Sequence, residues 1–246
     1  MSSFEIRASL FLASVYGLRM LGMFLILPIF AIYASGLSGN PTQLQIGLAL
    51  GIYGLTQAVF QIPFGMSSDF FGRKKVIYFG LALFVLGSII AGSSSQIENI
   101  IIGRAIQGAG AISAVLTALL SDLTRDEHRT KAMAIVGGSI GLTFALSLVI
   151  SPWLNSKIGV PGIFFMMAIL SILAAIIIHF FIHETKRVNK KTALNLKDFY
   201  AVLGRFDLGR LNLGIFVLHV AQISMFMMVP FYLFQQGNLP LYDHWM

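Results

Sequence analysis

The chain has 246 residues, of which 57% are apolar and only 11% are charged. Soluble domains have about 25% charged residues, so this composition indicates a membrane protein. The absence of cysteine excludes disulfides, thiolate metal sites and cysteine nucleophiles. A net charge of +7 would suit nucleic acid. The cations, however, occur in alternate loops rather than on one face, so no nucleic-acid partner is predicted.

Seven apolar runs are each long enough to cross a bilayer as a helix, which takes about 20 residues. They lie at about 8–35, 43–66, 75–95, 97–121, 132–153, 161–182 and 211–234. The first run is too long for the apolar region of a signal peptide and contains Arg19, so we interpret it as the first span. The sequence therefore predicts an all-α, polytopic membrane protein embedded in a lipid bilayer.

Lysine and arginine are distributed unevenly along this pattern. Fourteen of the 17 lie near the N-terminus or in the connections after spans 2, 4 and 6. Only Lys157 falls in the other set of connections, while Arg19 and Arg104 lie within spans. The positive-inside rule therefore predicts that the N-terminus and the even-numbered connections are cytoplasmic.

The connection after span 6 is long and basic. Within it, Leu196, Phe199, Leu203 and Phe206 recur at helical spacing. This pattern predicts an amphipathic helix on the cytoplasmic membrane surface.

The connection between spans 2 and 3 has only eleven residues, GMSSDFFGRKK. In it, Gly65 and Gly72 permit close approach and a tight turn. Asp69 is suited to accept hydrogen bonds at the N-terminus of another helix. Arg73 is expected to pair with Asp122, at the cytoplasmic end of span 4. The alternative is that the three consecutive cations only set topology.

The pattern G-x3-D-x2-G-R-K-K resembles the loop 2–3 signature of the major facilitator superfamily (MFS), which comprises secondary transporters built from two six-helix halves. Phe70 departs from it, because the family has a basic residue there. The resemblance implies that Asp69, Arg73 and Asp122 form a latch that holds the outward-open state and breaks when the halves rock.

Span 4 contains Arg104, Gln107, Gly108 and Gly110, which resemble the MFS pattern R-x2-Q-G-x-G. Arg104 lies roughly 10 Å inside the non-cytoplasmic end, at about 1.5 Å per residue. A charge facing lipid at that depth costs about 2.5–3.5 kcal/mol, so it should face a wet cavity or a partner, unless it snorkels. The two glycines allow close helix approach. The resemblance implies a role for Arg104 in proton coupling.

Arg19 lies near the bilayer centre, where snorkelling is difficult. No Asp or Glu occurs near the middle of any span. Its partner is therefore backbone, glutamine, water, an anionic substrate group, or a residue of helices missing from this chain. We expect Arg19 and Arg104 to lie on the substrate or proton pathway.

Two further polar positions have open interpretations. Tyr53, Gln57 and Gln61 form a stripe on one face of span 2, which either lines a solute path or bonds neighbouring helices. His219 in span 7 is either a proton relay or a group that hydrogen-bonds between helices.

Span 5 resembles the drug-antiporter signature G-x8-G-x3-G-P at Gly138 and Pro152, with Ser147 and Ser151 in place of two glycines. Small residues there still allow tight packing. The two glycines that follow in the signature are also absent, because Asn155 and Ser156 stand there.

Pro63 and Pro152 each lie about 21 residues into their spans, 2 and 5, which run in opposite directions. The inverted three-helix repeats of an MFS half would place them so, and the alternative is a coincidence.

The resemblance implies a six-helix half at 1–184, a linker at 185–209, and a seventh helix with its tail at 210–246. Because the family has about twelve spans, we expect a truncated copy that lacks a C-terminal half. The predicted activity is proton-coupled efflux of small molecules across the bacterial inner membrane, without a cofactor or metal. The alternatives are an uptake symporter and a non-transporting membrane partner.

Two rival classes fit poorly. A rhodopsin-like protein has an outside N-terminus, and a retinal pump needs a lysine in its last helix, which span 7 lacks. An enzyme is not expected, because no nucleophile–base pair or metal cluster occurs at a useful spacing.

Overall fold

The computed structural model describes residues 1–182 and 205–235, and this part of the chain is helical without strands. Its helices are α1 (Ser3–Ile26), α2 (Phe30–Ser35), α3 (Gln43–Phe71), α4 (Arg73–Gly92), α5 (Ile97–Ala109), α6 (Ser113–Asp122), α7 (Arg129–Phe181) and α8 (Phe206–Gln235). A short 3-10 helix, Asp126–His128, precedes α7. The all-α prediction is confirmed.

Local sequence signals explain where the long helices begin. Ser2 with Glu5, and Thr42 with Gln45, form capping boxes at the N-termini of α1 and α3. Gly72 separates α3 from α4 with φ 99°, a left-handed conformation that favours glycine. A single residue therefore turns the chain between two spans.

Within the described residues, six helices are long and apolar enough to cross a membrane, the longest being the 56 residues Asp126–Phe181. Gly159 breaks that long helix with φ 67° and ψ 175°. Each limb, 129–158 and 160–181, exceeds the length that a bilayer requires. The limbs correspond in sequence to the predicted spans 5 and 6, so each limb is long enough for a crossing of its own.

The structure also interrupts two of the predicted spans. Span 1 is α1 and α2 separated by residues 27–29, and span 4 is α5 and α6 separated by residues 110–112. The second interruption begins at Gly110, whose backbone has φ −72° and ψ 49°. Because a helix break frees backbone carbonyls, it creates acceptors in the middle of the membrane.

The buried side chains form two apolar clusters, one toward each end of the bundle. The first collects residues from the end of span 1, the start of span 2, helices α4 and α5, and the second limb of α7, such as Phe30, Ile46 and Phe84. The second lies at the opposite end and includes Leu12, Ile77 and Leu116. Between them lies a layer of buried polar groups, described below.

Helix α8 differs from the rest. It contacts α2, but its described side chains are almost all exposed. The amphipathic helix predicted around 196–206 lies largely outside the described residues. The predicted division at 184 and 209 remains a prediction.

Candidate functional site

Arg104 lies in the buried polar layer, with only 1% of its surface exposed. Its Nε donates to the backbone carbonyl of Ala49 at 3.3 Å, and one terminal nitrogen donates to Gln107 Oε1 at 3.1 Å. The guanidinium carbon lies 4.8 Å from the centre of the Tyr53 ring. Arg104 therefore faces α3 and does not snorkel.

Gln107 extends this contact to two more helices. Its Nε2 donates to Ser88 Oγ at 2.8 Å and lies 3.8 Å from Met167 Sδ. Ser88 in turn donates to the carbonyl of Phe84 at 2.7 Å. The resulting chain of hydrogen bonds joins α3, α5 and α4 and reaches α7. Ser88 was not predicted as a site residue, because a single serine within an apolar run does not show which residues it contacts.

Arg19 is also 1% exposed. One terminal nitrogen donates to Ser113 Oγ at 2.9 Å and the other to the carbonyl of Gly110 at 3.0 Å. Its guanidinium carbon lies 5.5 Å from the centre of the Phe84 ring. Its partners are thus the backbone and a hydroxyl at the break between α5 and α6. A backbone partner was one of the expected alternatives.

Both arginines have partners inside the bundle, and their place on the substrate or proton pathway stays a prediction. Arg19 and Arg104 do not line an open surface of the described helices, because both are buried within the bundle. Neither has a carboxylate partner among the described residues. Each charge is instead balanced by neutral oxygen atoms and an aromatic face, an arrangement that carries a large desolvation cost.

Glycines allow the helices to come close enough for these contacts. A Cβ on Gly108 would overlap Thr56 and the backbone of Tyr53, and one on Gly110 would overlap the backbone of Gly80. Gly108 and Gly110 therefore occupy tight helix contacts.

The contact between α4 and α5 uses glycines that the sequence analysis missed. A Cβ on Gly87 would lie 2.6 Å from the backbone nitrogen of Gln107, and one on Gly103 would lie 2.7 Å from the carbonyl oxygen of Gly87. The available signal was spacing: Gly80 and Gly87 are seven residues apart, as are Gly103 and Gly110. Positions at that spacing lie on one helix face.

A second polar cluster lies where α3 ends and α4 begins. Arg73 NH1 lies 2.6 Å from Asp69 Oδ1, and Arg73 Nε lies 3.0 Å from Asp122 Oδ2. Ser68 Oγ accepts from Arg73 at 2.5 Å and donates to the carbonyl of Gly65 at 2.6 Å. The side chains of Arg73, Asp122 and Asp69 are 18%, 32% and 59% exposed.

This arrangement gives Arg73 two acidic partners from different helices. Gly72 makes it possible, because the turn it permits places Arg73 in the first turn of α4, facing α6. Asp69 pairs with Arg73 among the described residues rather than with a helix N-terminus.

Comparison with known proteins identifies the family. The model of the Major Facilitator Superfamily matches residues 12–243. The chain belongs to the Major Facilitator Superfamily. Members of this superfamily are transporters rather than enzymes.

Two curated relatives show how far the likeness extends. The chain is 46% identical over 243 residues to the inner membrane transport protein YajR of Escherichia coli, covering 98% of this chain and 53% of YajR. It is 30% identical over 148 residues to the multidrug resistance protein MdtL of Vibrio parahaemolyticus, covering 59% of this chain and 37% of MdtL. The chain thus spans about half the length of YajR.

A solved structure shows the same fold. It is the crystal structure of a bacterial homologue of the human lysosomal transporter Spinster, in an inward-facing and unoccupied conformation. The TM-score is 0.80 at 15% identity, covering 99% of this chain and 58% of the other.

Other predicted residues of this MFS chain do not join either cluster. Gln57 is half-buried and lies on α3. His219 is exposed, and its ring Nδ1 lies 2.8 Å from the carbonyl of Ile215 in its own helix. The structure does not bring His219 into the layer of buried arginines.

The packing prediction for span 5 divides in two. Pro152 is buried, and so are Ser147 and Ser151, whose hydroxyls donate to the carbonyls of Phe144 and Leu25. A Cβ on Gly138, by contrast, would meet nothing within 4 Å. No described helix packs closely against Gly138, and its packing role stays a prediction.

One ion pair was not predicted at all. Arg125, in the connection before α7, binds Glu5 with Nε–Oε1 and NH2–Oε2 distances of 3.0 and 3.2 Å. The hydrogen bond that Arg125 donates to Glu5 raises the pKa of Arg125. Glu5 also completes the capping box with Ser2, so one carboxylate ties the start of α1 to a loop 120 residues away. Only the capping-box pattern was readable in the sequence.

Proposed function

We propose that this chain is the N-terminal half, plus one helix, of a secondary transporter of the bacterial inner membrane, with a cytoplasmic N-terminus. Its length relative to YajR supports the first part, and YajR's description as an inner membrane transport protein supports the location. The cation distribution supports the orientation. In this proposal residues 1–184 form the six-helix half, 185–209 the linker, and 210–246 the seventh helix and tail.

The proposed activity is proton-coupled efflux of small molecules. The likeness to a multidrug resistance protein supports this direction of transport. The buried serines of span 5 also support it, because small residues at 147 and 151 preserve the close packing of the drug-antiporter signature.

The observation that carries the proposal is the sharing of Arg73 between two carboxylates. Asp69 is the more exposed partner, so it can exchange Arg73 for another group at a small cost in free energy. Arg73 would then keep Asp122 and Ser68. An arginine with three partners, one of which is exchangeable, is suited to a latch that opens and closes between two conformations.

The proposed proton-coupling group is Arg104, in the buried polar layer. Arg104 is held by the carbonyl of Ala49 and by Gln107, neither of which is ionisable. The hydroxyl of Tyr53, beside it, is buried and makes no hydrogen bond within the described part of the chain. This unused hydrogen-bonding capacity next to a buried cation is suited to receiving a proton, a water or a polar substrate group when the bundle opens.

The first experiment decides which protein is used in the transport assay. Sequencing the gene beyond codon 246 shows whether five more apolar spans follow, in this frame or a shifted one. If they do, the restored protein is assayed; if they do not, the chain is assayed alone.

The transport assay uses inside-out membrane vesicles with an established proton gradient. We expect added ethidium to enter the vesicles and to dissipate part of the gradient, as reported by a pH-sensitive dye. Ethidium uptake that persists after a protonophore collapses the gradient contradicts proton coupling. Substrate accumulation only in right-side-out vesicles would instead indicate an uptake symporter.

A further inference from the structure

An apolar cavity of about 370 Å³ opens between α3 and α4, at the end of the bundle that carries the latch cluster. Its volume lies within the range of about 300–1,000 Å³ that is typical of ligand pockets. Three phenylalanines, one valine and two polar residues line it: Phe64, Ser67, Phe71, Lys75, Val76 and Phe79. This cavity is separate from the buried arginine layer.

Its walls are apolar and partly open to the surroundings. Phe71 and Phe79 are 64% and 59% exposed, whereas Phe64 is buried and stacks on Phe79 with 5.9 Å between ring centres. Exposed phenylalanines at the end of a membrane helix are stable against acyl chains and costly against water. The phenylalanine walls therefore suit hydrocarbon chains.

Lys75 gives the rim of the cavity a positive charge that no described group neutralises. Of the three consecutive cations, Arg73 binds two carboxylates, and Lys74 Nζ lies 3.5 Å from the carbonyl of His179. Lys75 is exposed and makes no ion pair or hydrogen bond in residues 1–182 and 205–235. The charge of Lys75 therefore stands at an apolar cavity whose lining also includes Ser67.

We propose that this cavity binds an anionic phospholipid, with the phosphate at Lys75 and Ser67 and an acyl chain against Phe71 and Phe79. An ammonium group at the level of the lipid head groups attracts anionic lipid, and an adjacent aromatic wall holds the upper chain. The lipid would lie against the helices that carry Asp69 and Arg73, so lipid composition would bear on the latch.

The test uses the purified chain in non-ionic detergent and native mass spectrometry. Phosphatidylglycerol and phosphatidylcholine with identical acyl chains are the probes. We expect phosphatidylglycerol to be retained preferentially, and Lys75→Gln to lower its affinity by about fivefold, which corresponds to one lysine at a membrane surface. Binding in detergent does not depend on transport, so failure here is distinguishable from failure of the proposed function.

Lys131→Gln is the matched control, because Lys131 is an exposed lysine near the start of another helix, α7, and does not line the cavity. It should leave retention of both lipids unchanged. Equal retention of the two lipids by the parent chain, or equal losses in the two lysine variants, would overturn the proposal.

A second measurement does not rely on removing Lys75. Phe79→Trp, in a chain whose Trp153 and Trp245 are replaced by phenylalanine, places a fluorescent reporter in the cavity wall. Phosphatidylglycerol with brominated chains should quench this reporter more strongly than the brominated phosphatidylcholine. Equal quenching by both lipids would also overturn the proposal.

Discussion

The two polar clusters of this chain are built in opposite ways. In the buried layer, Arg104 and Arg19 are fully enclosed and are held by carbonyls, a glutamine and a serine. At the α3–α4 junction, Arg73 is partly exposed and is held by two carboxylates.

The difference indicates which cluster is fixed and which can change. A buried guanidinium that leaves its hydrogen-bond partners has no bulk water to replace them, whereas an exposed carboxylate can exchange partners at little cost. The buried layer is therefore part of the rigid packing, and the junction is the element that can switch. The following predictions test that division, starting with the largest expected effect.

A close contact between α4 and α5 supports the buried layer, so disturbing it should have the largest effect. We expect Gly87→Val to destabilise the chain by about 3 kcal/mol, because the side chain would overpack α4 against α5. The matched control is Gly138→Val, since a Cβ at Gly138 meets no atom within 4 Å. Thermal unfolding in detergent checks both. Equal melting temperatures would contradict the tight α4–α5 contact.

Arg104→Met should separate function from stability. Losing the partner of Gln107 Oε1 costs about 1–3 kcal/mol. Removing a buried charge returns a similar amount or more, so we expect the melting temperature to stay the same or rise. Transport should fall to background in the vesicle assay. A variant that still transports would show that Arg104 has only a structural role.

Asp69→Asn tests the exchangeable member of the junction. Because Asp69 is 59% exposed, its loss should change the free energy of unfolding by less than about 1 kcal/mol. Transport should nevertheless fall several-fold, with membrane insertion unchanged. Asp126→Asn is the control, because Asp126 is an exposed carboxylate that pairs with Arg129 at 2.8 Å outside the latch. Unchanged efflux in Asp69→Asn would reject the latch.

His219→Ala should have the smallest effect. The exposed imidazole contacts the carbonyl of Ile215 in its own helix, so we expect a stability change below about 0.5 kcal/mol. Transport should also be close to that of the parent protein. Loss of transport with normal insertion would return His219 to the proton pathway.

The lipid proposed for the cavity should affect the α3–α4 junction but not the buried layer. If anionic lipid occupies it, transport by the parent protein should respond to phosphatidylglycerol content, whereas the stability of the buried layer should not. Measuring efflux and melting temperature in vesicles of both compositions checks this. A parallel change in both quantities would contradict the independence of the two clusters.

Much of the junction was predictable because it is local in sequence. Gly65, Asp69, Gly72 and Arg73 lie within nine residues, and a short turn between two spans leaves them few arrangements. Asp122 could be named because a carboxylate at the end of span 4 that lies on the same side as the α3–α4 turn is within reach of Arg73.

The partners of the buried arginines were not predictable in the same way. Arg19 binds groups 91 and 94 residues away, at a helix break that a hydropathy profile reads as one continuous span. The burial of Arg104 depends on how closely α3 approaches α5 at Gly108. Both results follow from three-dimensional packing rather than from the composition of any segment.

The sequence by itself determined the membrane class, the spans and the short turn at Gly72, because bilayer thickness and backbone conformation act on consecutive residues. Only the tertiary structure decided which charges are enclosed and which are free. Enclosure depends on helices meeting at distant glycines, as when α4 and α5 pack through Gly87 and Gly103. Arg19 and Arg104, the two arginines within predicted spans, are therefore buried in the core. Among the described residues, the cation of the α3–α4 junction that has no partner is Lys75.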